Sequence, residues 1–308
     1  MGSAFRVARR VSPILVVCLF ASCSKNNTPV APTPTPSPVP VVQGFVPAGS
    51  IGLWVGAGDI GYCGTPGAEA TGRLLDRYQG TVFTAGDNAY MSGTSAEYQT
   101  CYVPGWGRQL SRTRPSVGNH DNINGGSAYY QYFGASAGQI GAGYYSYAVG
   151  PWNVIALNSE IPSASGTAQM EWLRNELATK RPLCTAVYWH RPLFSSGRHG
   201  DNADMRDVWR TLYEFDVDLV IGGHDHTYER FAPQDPDGRY DPGHGIREFV
   251  VGTGGAPLYE FPNVRPNSEV RGAAWGVTAF TLGPNGYQWE FVPVDGQTFR
   301  DSGSASCH

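Results

Sequence analysis

The stretch VDLVIGGHDHTYER, residues 217–230, decides how this chain is read. Val217 to Ile221 is a short apolar run rich in β-branched residues, the pattern of a buried strand. It runs into Gly222-Gly223 and then His224-Asp225-His226. Two histidines two residues apart at a strand end readily face a shared site. The same grammar recurs upstream: Asp59 follows the run Ile51 to Ala57, Asp87 follows Thr81 to Ala85, and His190 follows Thr185 to Trp189. Asn119 stands in Gly118-Asn119-His120-Asp121. Ligands collect at the carboxyl ends of strands in α/β sheets, so five metal-capable side chains at such ends form one constellation. Singly, each has a plainer reading. Gly86-Asp87-Asn88-Ala89-Tyr90 is an Asp-capped turn with a packing tyrosine, 118–121 a polar turn, and His190 a satisfied structural histidine. His244 and His308 fall outside these segments and are assigned to the surface.

Outward from these strands, helical periodicity marks Ala68 to Tyr78, Thr167 to Thr179 and Asp204 to Tyr213. Gly143 to Ala148 and Asn153 to Leu157 read as an antiparallel pair around a Gly-Pro turn. From Ile246 onward the pattern is all strand: Glu248 to Val251, Val277 to Leu282 and Gln288 to Val292. The front half is therefore β-α-β in character and the back half a meander. With no internal repeat and no second linker, residues 45–308 read as one α/β domain.

Composition agrees with that class and narrows it. The chain has 308 residues, a net charge of −4, 16% charged and 12% aromatic residues, 40 Gly and 23 Pro. Low charge with many aromatics argues against disorder, and the glycine content against a helical bundle. No basic excess exists to coat nucleic acid.

The first 44 residues are of another kind. Arg6, Arg9 and Arg10 precede an apolar stretch from Ile14 to Phe20, the layout of an export signal. That stretch is shorter than the ~20 residues a membrane span needs. Ala21-Ser22-Cys23 resembles the lipobox of bacterial lipoproteins, with Phe20 where that motif usually has Leu, so residues 1–22 are expected to be a lipoprotein-type signal peptide and Cys23 the lipid anchor. Residues 23–44 follow as a tether in which Pro29, Pro32, Pro34, Pro36, Pro38 and Pro40 favour an extended polyproline helix. A docking motif for a proline-reading partner is the alternative for that run. The expected product is exported and membrane-anchored, facing the periplasm or cell exterior. Loss of residues 1–22 removes those three arginines and no acid, so the charge of −4 becomes −7.

Cys63, Cys101, Cys184 and Cys307 then remain, and in an oxidising compartment they suggest two disulfides with three connectivities open. Cys63–Cys101 and Cys184–Cys307 is the pairing expected here, the first joining neighbouring loops and the second pinning the C-terminus. The loop Gly56-Ala57-Gly58-Asp59-Ile60-Gly61 also matches GxGxxG, a dinucleotide fingerprint. An Asp inside it would face a pyrophosphate with the wrong charge.

In this order, GDIG (58–61), GDNAY (86–90), GNHD (118–121), the strand-end His190 and GHDHTYER (223–230) resemble the dinuclear metallophosphoesterases, specifically the purple acid phosphatase branch. The broader calcineurin-like superfamily usually opens with Asp-x-His. Here position 61 is Gly, which cannot ligate, and the purple acid phosphatases make that replacement while supplying a tyrosine from GDxxY, here Tyr90.

The resemblance implies two mixed β-sheets packed as a sandwich flanked by helices, with 45–308 as the catalytic domain. It implies that Asp59, Asp87, Tyr90 and His226 hold Fe(III), with Asp87 bridging, while Asn119, His190 and His224 complete a divalent Zn, Fe or Mn site. A tyrosinate and carboxylates suit a hard trivalent ion, and imidazoles a softer divalent one. His120 and His199 would contact phosphate or serve as acid, with Asp121 orienting His120 and Tyr228, Glu229 and Arg230 bracing the metal loop. The expected activity is hydrolysis of small phosphate monoesters by a metal-bound hydroxide. Alternatives are a phosphodiesterase or nucleotidase on the same site, a non-catalytic surface lipoprotein, or a dinucleotide binder. The fibronectin-like N-terminal domain of plant relatives has no counterpart before residue 45. Oligomeric state is open.

Overall fold

The computed structural model describes Met1, Gly2, residues 51–180 and residues 182–308. The expected signal peptide, Cys23 and the proline tether lie outside the described residues.

Among the described residues thirteen strands form two mixed sheets. β1 (Gly52–Ala57), β2 (Thr81–Thr84) and β3 (Thr113–Pro115) run parallel, and β11 (Gly276–Gly283), β12 (Gly286–Pro293) and β13 (Asp301–Ser306) extend the sheet antiparallel in the order β13-β12-β11-β1-β2-β3. The second sheet is built from β4 (Tyr145–Val149), β5 (Trp152–Ala156), β6 (Thr185–Tyr188), β7 (Leu219–Gly222), β8 (Tyr228–Phe231), β9 (Arg247–Val251) and β10 (Ser268–Gly272). Its order is β10-β8-β9-β7-β6-β5-β4, with β5, β6, β7 and β9 parallel.

Period-two alternation shows how the layers form. Val154, Ala156, Ala186, Tyr188, Leu219, Ile221, Phe249 and Val251 face the first sheet, while their neighbours Ile155, Val187, Val220 and Val250 belong to a separate cluster on the other face. Between the sheets the packing is aromatic: Trp54 lies 5.6 Å from Tyr188, and Phe249 lies 5.4 Å from Phe280, both edge-on. Truncating the fully buried Trp54 to Ala would cost about 3–5 kcal/mol.

The outer cluster is closed by helices. Among the described residues six α-helices occur in chain order: α1 (Gly67–Leu75), α2 (Ser95–Glu97), α3 (Asn119–Asn122), α4 (Ser127–Phe133), α5 (Ala168–Thr179) and α6 (Arg206–Glu214). Met170, Leu173 and Leu177 of α5, with Val208, Trp209 and Leu212 of α6, cover the outer face of the second sheet. Leu74 and Leu75 of α1 join the first cluster. The architecture is the expected α/β sandwich with flanking helices.

One expectation changes. The back half is not a meander throughout: β9 lies parallel beside β7, and only β11–β13 forms consecutive hairpins, joining the first sheet alongside β1. Apolar runs mark strands but carry no record of their partners. The end of the GHDHTYER motif turns back as β8, antiparallel to β9. Both disulfides pair as expected, Cys63–Cys101 with Cα atoms 4.8 Å apart and Cys184–Cys307 with Cα atoms 5.5 Å apart.

Candidate dinuclear metal centre

Each expected ligand stands just beyond a strand: Asp59 after β1, Asp87 after β2, His190 after β6, and His224 and His226 after β7. Asn119 opens α3 beyond β3. The parallel strands point the same way, so their carboxyl ends converge on one edge of the sandwich. Asp59, Asp87 and His224 all adopt left-handed backbone conformations, with φ of 60°, 50° and 69°. Non-glycine residues reach that region at about 1–3 kcal/mol each, a cost that clusters at functional sites. Gly118 allows a close approach to Asp87. A Cβ there would overlap the backbone nitrogen and Oδ1 of Asp87.

Seven side chains fall into two linked groups. In the first, the Tyr90 hydroxyl donates to Asp59 Oδ1 at 2.7 Å and lies 3.2 Å from His226 Nε2, which is 3.4 Å from Asp59 Oδ1. In the second, His190 Nε2 lies 3.2 Å from Asp87 Oδ2, 3.0 Å from Asn119 Oδ1 and 3.2 Å from His224 Nδ1. The Tyr90 phenol also faces Asp87, which joins the groups. Asp59, Asp87 and His190 are at most 1% exposed, and His226 is 6% exposed.

The donor and acceptor inventory of this cluster is unbalanced. His190 Nδ1 lies 2.9 Å from the Ala85 carbonyl and His226 Nδ1 2.7 Å from the Pro257 carbonyl. A carbonyl only accepts, so each Nδ1 carries a hydrogen and each neutral ring turns its Nε2 lone pair into the centre. There His190 Nε2 meets a carboxylate oxygen and an amide oxygen, both acceptors. Lone pairs converging in a buried space need a cation among them, and oxygen and nitrogen donors of this kind suit the expected metals.

Electrostatics follow. Burial works against charge on His190, yet the Asp87 carboxylate outweighs it and lifts the imidazole to about 10. His224 goes the other way, pushed down to about 2 by burial and by its neighbour His190. A metal ion bound at the centre would displace the His190 proton and receive the Nε2 lone pair in its place. Burial would raise Asp87, but His190 and His120 hold it below the usual carboxylate range. Burial and the carboxylates of Asp59 and Asp87 push the Tyr90 phenol well up.

His120 and His199 flank this cluster. The His120 backbone nitrogen donates to Asp87 Oδ1 at 2.8 Å, its ring packs 4.5 Å from Tyr90, and its Nε2 lies 3.9 Å from Asp87 Oδ2. His199 stacks on His224 with ring centroids 4.3 Å apart. Burial draws the His199 imidazole below its ordinary value, opposed by Asp225.

The expected role of Asp121 needs correction. Its carboxylate is buried and accepts from the backbone nitrogens of Asn88, Ala89 and Gly118, from Asn88 Nδ2 and from the Tyr98 hydroxyl. It braces the GDNAY turn, while His120 is held through Nδ1 by the Met91 carbonyl at 2.6 Å. Bracing by the end of GHDHTYER is also divided. Glu229 accepts from the backbone of Ser196, but Tyr228 and Arg230 bind Asp301 of β13.

Two contributors, Tyr259 and Arg191, have no signature in the motifs, and Tyr259 also meets Arg198, a residue the sequence offers as a phosphate contact. Tyr259 stacks on His226 with centroids 4.0 Å apart and a 13° tilt, and the Arg198 guanidinium lies 5.5 Å from the Tyr259 ring centre. Arg191 Nη1 stands 3.2 Å from His224 Nε2. Asp225, inside the motif, accepts from the backbone nitrogens of His199 and Gly200 and from Ser195 Oγ at 2.5 Å. The glycine loop does not lead into a helix N-terminus as a dinucleotide site requires: α1 begins only at Gly67, and Asp59 Oδ2 is taken by the His224 backbone nitrogen at 2.8 Å.

The sequence profile of the calcineurin-like phosphoesterases matches residues 55–228. An uncharacterised protein of Mycobacterium tuberculosis is 33% identical over 146 residues, covering 39% of this chain and 28% of that one. Purple acid phosphatase 21 of Arabidopsis thaliana is 35% identical over 96 residues, covering 29% of this chain and 22% of its own length. The chain thus spans about a quarter of the length of these relatives. Purple acid phosphatase PPD1 of yellow lupin superposes with a TM-score of 0.74 at 22% identity, over 83% of this chain and 54% of that one, and so shares the fold.

Proposed function

The chain belongs to the calcineurin-like phosphoesterase family, and on that premise we propose that it is an exported phosphoric ester hydrolase acting on small phosphate monoesters. The observation that carries this reading is the buried convergence of His190 Nε2, Asp87 Oδ2 and Asn119 Oδ1 beside the Asp59–Tyr90–His226 group. Asp59, Tyr90 and His226 would hold one metal ion, expected to be Fe(III). Asn119, His190 and His224 would hold a divalent ion (Zn, Fe or Mn), with Asp87 shared. Bound there, two cations would lower the pKa of water toward neutrality and draw negative charge from the phosphate.

The remaining work falls to the protein. His120 donates from Nδ1 to Met91 and so directs Nε2 over Asp87, in reach of a phosphate oxygen or a leaving alkoxide. His199, stacked on His224, is the second proton carrier. Arg198, backed by Tyr259, supplies positive charge at the rim. The N-terminal sequence pattern and the two disulfides support export, with lipid attachment at Cys23 as the proposed anchor.

The test is metal analysis of protein purified without chelators, together with turnover of p-nitrophenyl phosphate and bis-p-nitrophenyl phosphate. Two metals per chain and faster monoester turnover are expected. Faster diester turnover would instead assign a phosphodiesterase, and fewer than one metal per chain with no turnover a non-catalytic lipoprotein.

A further inference from the structure

The two histidines of GHDHTYER each carry a second ring against one face. His199 stacks on His224 with centroids 4.3 Å apart, and Tyr259 on His226 at 4.0 Å with a 13° tilt. These outer rings meet each other edge to face, 5.5 Å apart at 60°. Tyr259 therefore touches both a ligand of one metal group and the proton carrier stacked on the other. The Arg198 guanidinium lies 5.5 Å from the Tyr259 ring centre, within cation–π range. Arg191 and Arg265 are tied to the carboxylates of Glu160 and Asp201, whereas Arg198 has no carboxylate partner among the described residues. Its charge is left for an anion.

Tyr259 belongs to the connection 252–267 from β9 to β10, which contains no helix or strand. Connections longer than about 12–15 residues without secondary structure are uncommon and usually functional. This one docks at two places. The Tyr259 backbone nitrogen donates to the His226 carbonyl at 3.0 Å, and the Pro257 carbonyl accepts from His226 Nδ1 at 2.7 Å. Farther along, the Arg265 backbone nitrogen donates to Ser196 Oγ at 2.8 Å, and its Nε to Asp201 Oδ1 at 2.9 Å. Ser196 and Asp201 bracket Arg198 and His199. Arg265 thus fixes the ends of that loop, and the Tyr259 ring meets the two side chains it presents. Every side-chain contact named for Tyr259 is made by the ring, and its hydroxyl makes no hydrogen bond among the described residues.

We propose that Tyr259 is a positioning residue for phosphate: its ring holds the Arg198 guanidinium and the His199 imidazole in place at the rim of the metal centre. The proposal rests on the phosphoesterase reading. It assigns to the ring a role in anion affinity that is separate from metal retention.

The test uses Tyr259→Leu, Tyr259→Phe, Arg198→Gln and the double variant Tyr259→Leu with Arg198→Gln, in full-length protein purified without chelators. Metal content is measured by plasma mass spectrometry, orthophosphate affinity by isothermal titration calorimetry, and KM and kcat with p-nitrophenyl phosphate. Tyr259→Leu should keep both metals and weaken phosphate about tenfold, with KM rising by more than kcat falls. Tyr259→Phe should stay within about twofold of wild type, because the ring remains. Arg198→Gln should weaken phosphate similarly, and the double variant by less than the product of the two, since one residue acts through the other. Loss of metal in Tyr259→Leu would reduce the ring to a support for His226 and overturn the proposal. So would a Phe variant as impaired as the Leu variant, or effects that simply multiply. Wild-type binding of phosphate that Tyr259→Leu leaves unchanged sinks the proposal alone. Wild-type protein that neither binds phosphate nor hydrolyses the ester sinks the phosphoesterase reading with it.

Discussion

The backbone nitrogen of Tyr90 donates to the carbonyl of Gly61 at 3.0 Å, in a short parallel bridge between Gly61 and Ala89. A Cβ at position 61 would press on the Asn88 carbonyl and on Tyr102. The residue that cannot ligate is thus the one that admits the GDNAY segment, and that segment brings the Tyr90 hydroxyl to Asp59. Gly61 and Tyr90 are one exchange, made through backbone contact.

Tyr90→Phe should keep the fold, because the ring contacts with Tyr62 and His120 do not need the hydroxyl. Wild-type protein purified without chelators is expected to show a broad visible absorption band from an Fe(III)–tyrosinate pair. The variant should lack it while retaining iron by elemental analysis. A colourless wild type, or an unchanged band in the variant, would exclude Tyr90 as a ligand.

Asp87 is the acid shared between the two groups, 1% exposed and in contact with His190, His120 and Tyr90. Asp87→Asn keeps its shape and removes its charge. Metal content should drop below one ion per chain and activity should vanish with it, measured by plasma mass spectrometry beside turnover. Full metal occupancy in this variant would refute the bridging role.

His120→Ala and His199→Ala should each retain both metals, since neither belongs to the two ligand groups. Proton donation at the leaving group is worth about 10²–10⁴-fold, and that loss of kcat is expected of whichever residue supplies it. Wild-type kcat in both variants would remove them from the mechanism.

Asp225→Asn tests the clamp on the loop that carries His199. The buried carboxylate ties Ser195, His199 and Gly200 together, and an amide cannot accept at both ends. Loosening a catalytic side chain by about 1 Å can cost 10²-fold, so kcat should fall about 10–100-fold with metal content unchanged. Protease nicking at 195–200 should rise in parallel. An unaltered kcat would reduce Asp225 to a packing residue.

Away from the centre, Asp218 is 3% exposed and accepts from the backbone nitrogens of Thr185 and His308. Burial raises its pKa to about 6, and those hydrogen bonds oppose the rise. The folded state then holds a proton that the unfolded state has lost above about pH 4. Its contribution to stability is greatest below pH 4 and is lost as pH climbs from 4 to 6. Asp218→Asn should therefore gain on wild type by about 1–3 kcal/mol between pH 4 and pH 7 in thermal unfolding. A pH-independent difference would contradict the raised value.

Much of the centre was legible because its chemistry depends on residue type and on position after a strand. Asp59, Asp87, His190, His224 and His226 each follow an apolar run, and strand direction carries them to one edge. Asp121 was misread because adjacency to His120 suggested a partnership. In α3 its carboxylate turns instead onto the backbone of Asn88 and Ala89. Tyr259 and Arg191 were invisible for a different reason. Neither is a ligand type in a motif, and their roles come from stacking and proximity across elements far apart in sequence.

The sequence by itself determined which side chains can bind metal and that they stand at strand ends, because strand periodicity and donor chemistry are local properties. Only the tertiary structure decided that β11 lies against β1, that Tyr259 stacks on His226, and that a polar cavity opens beside Arg191. Those facts depend on which faces bury one another, and burial is settled between elements rather than along the chain.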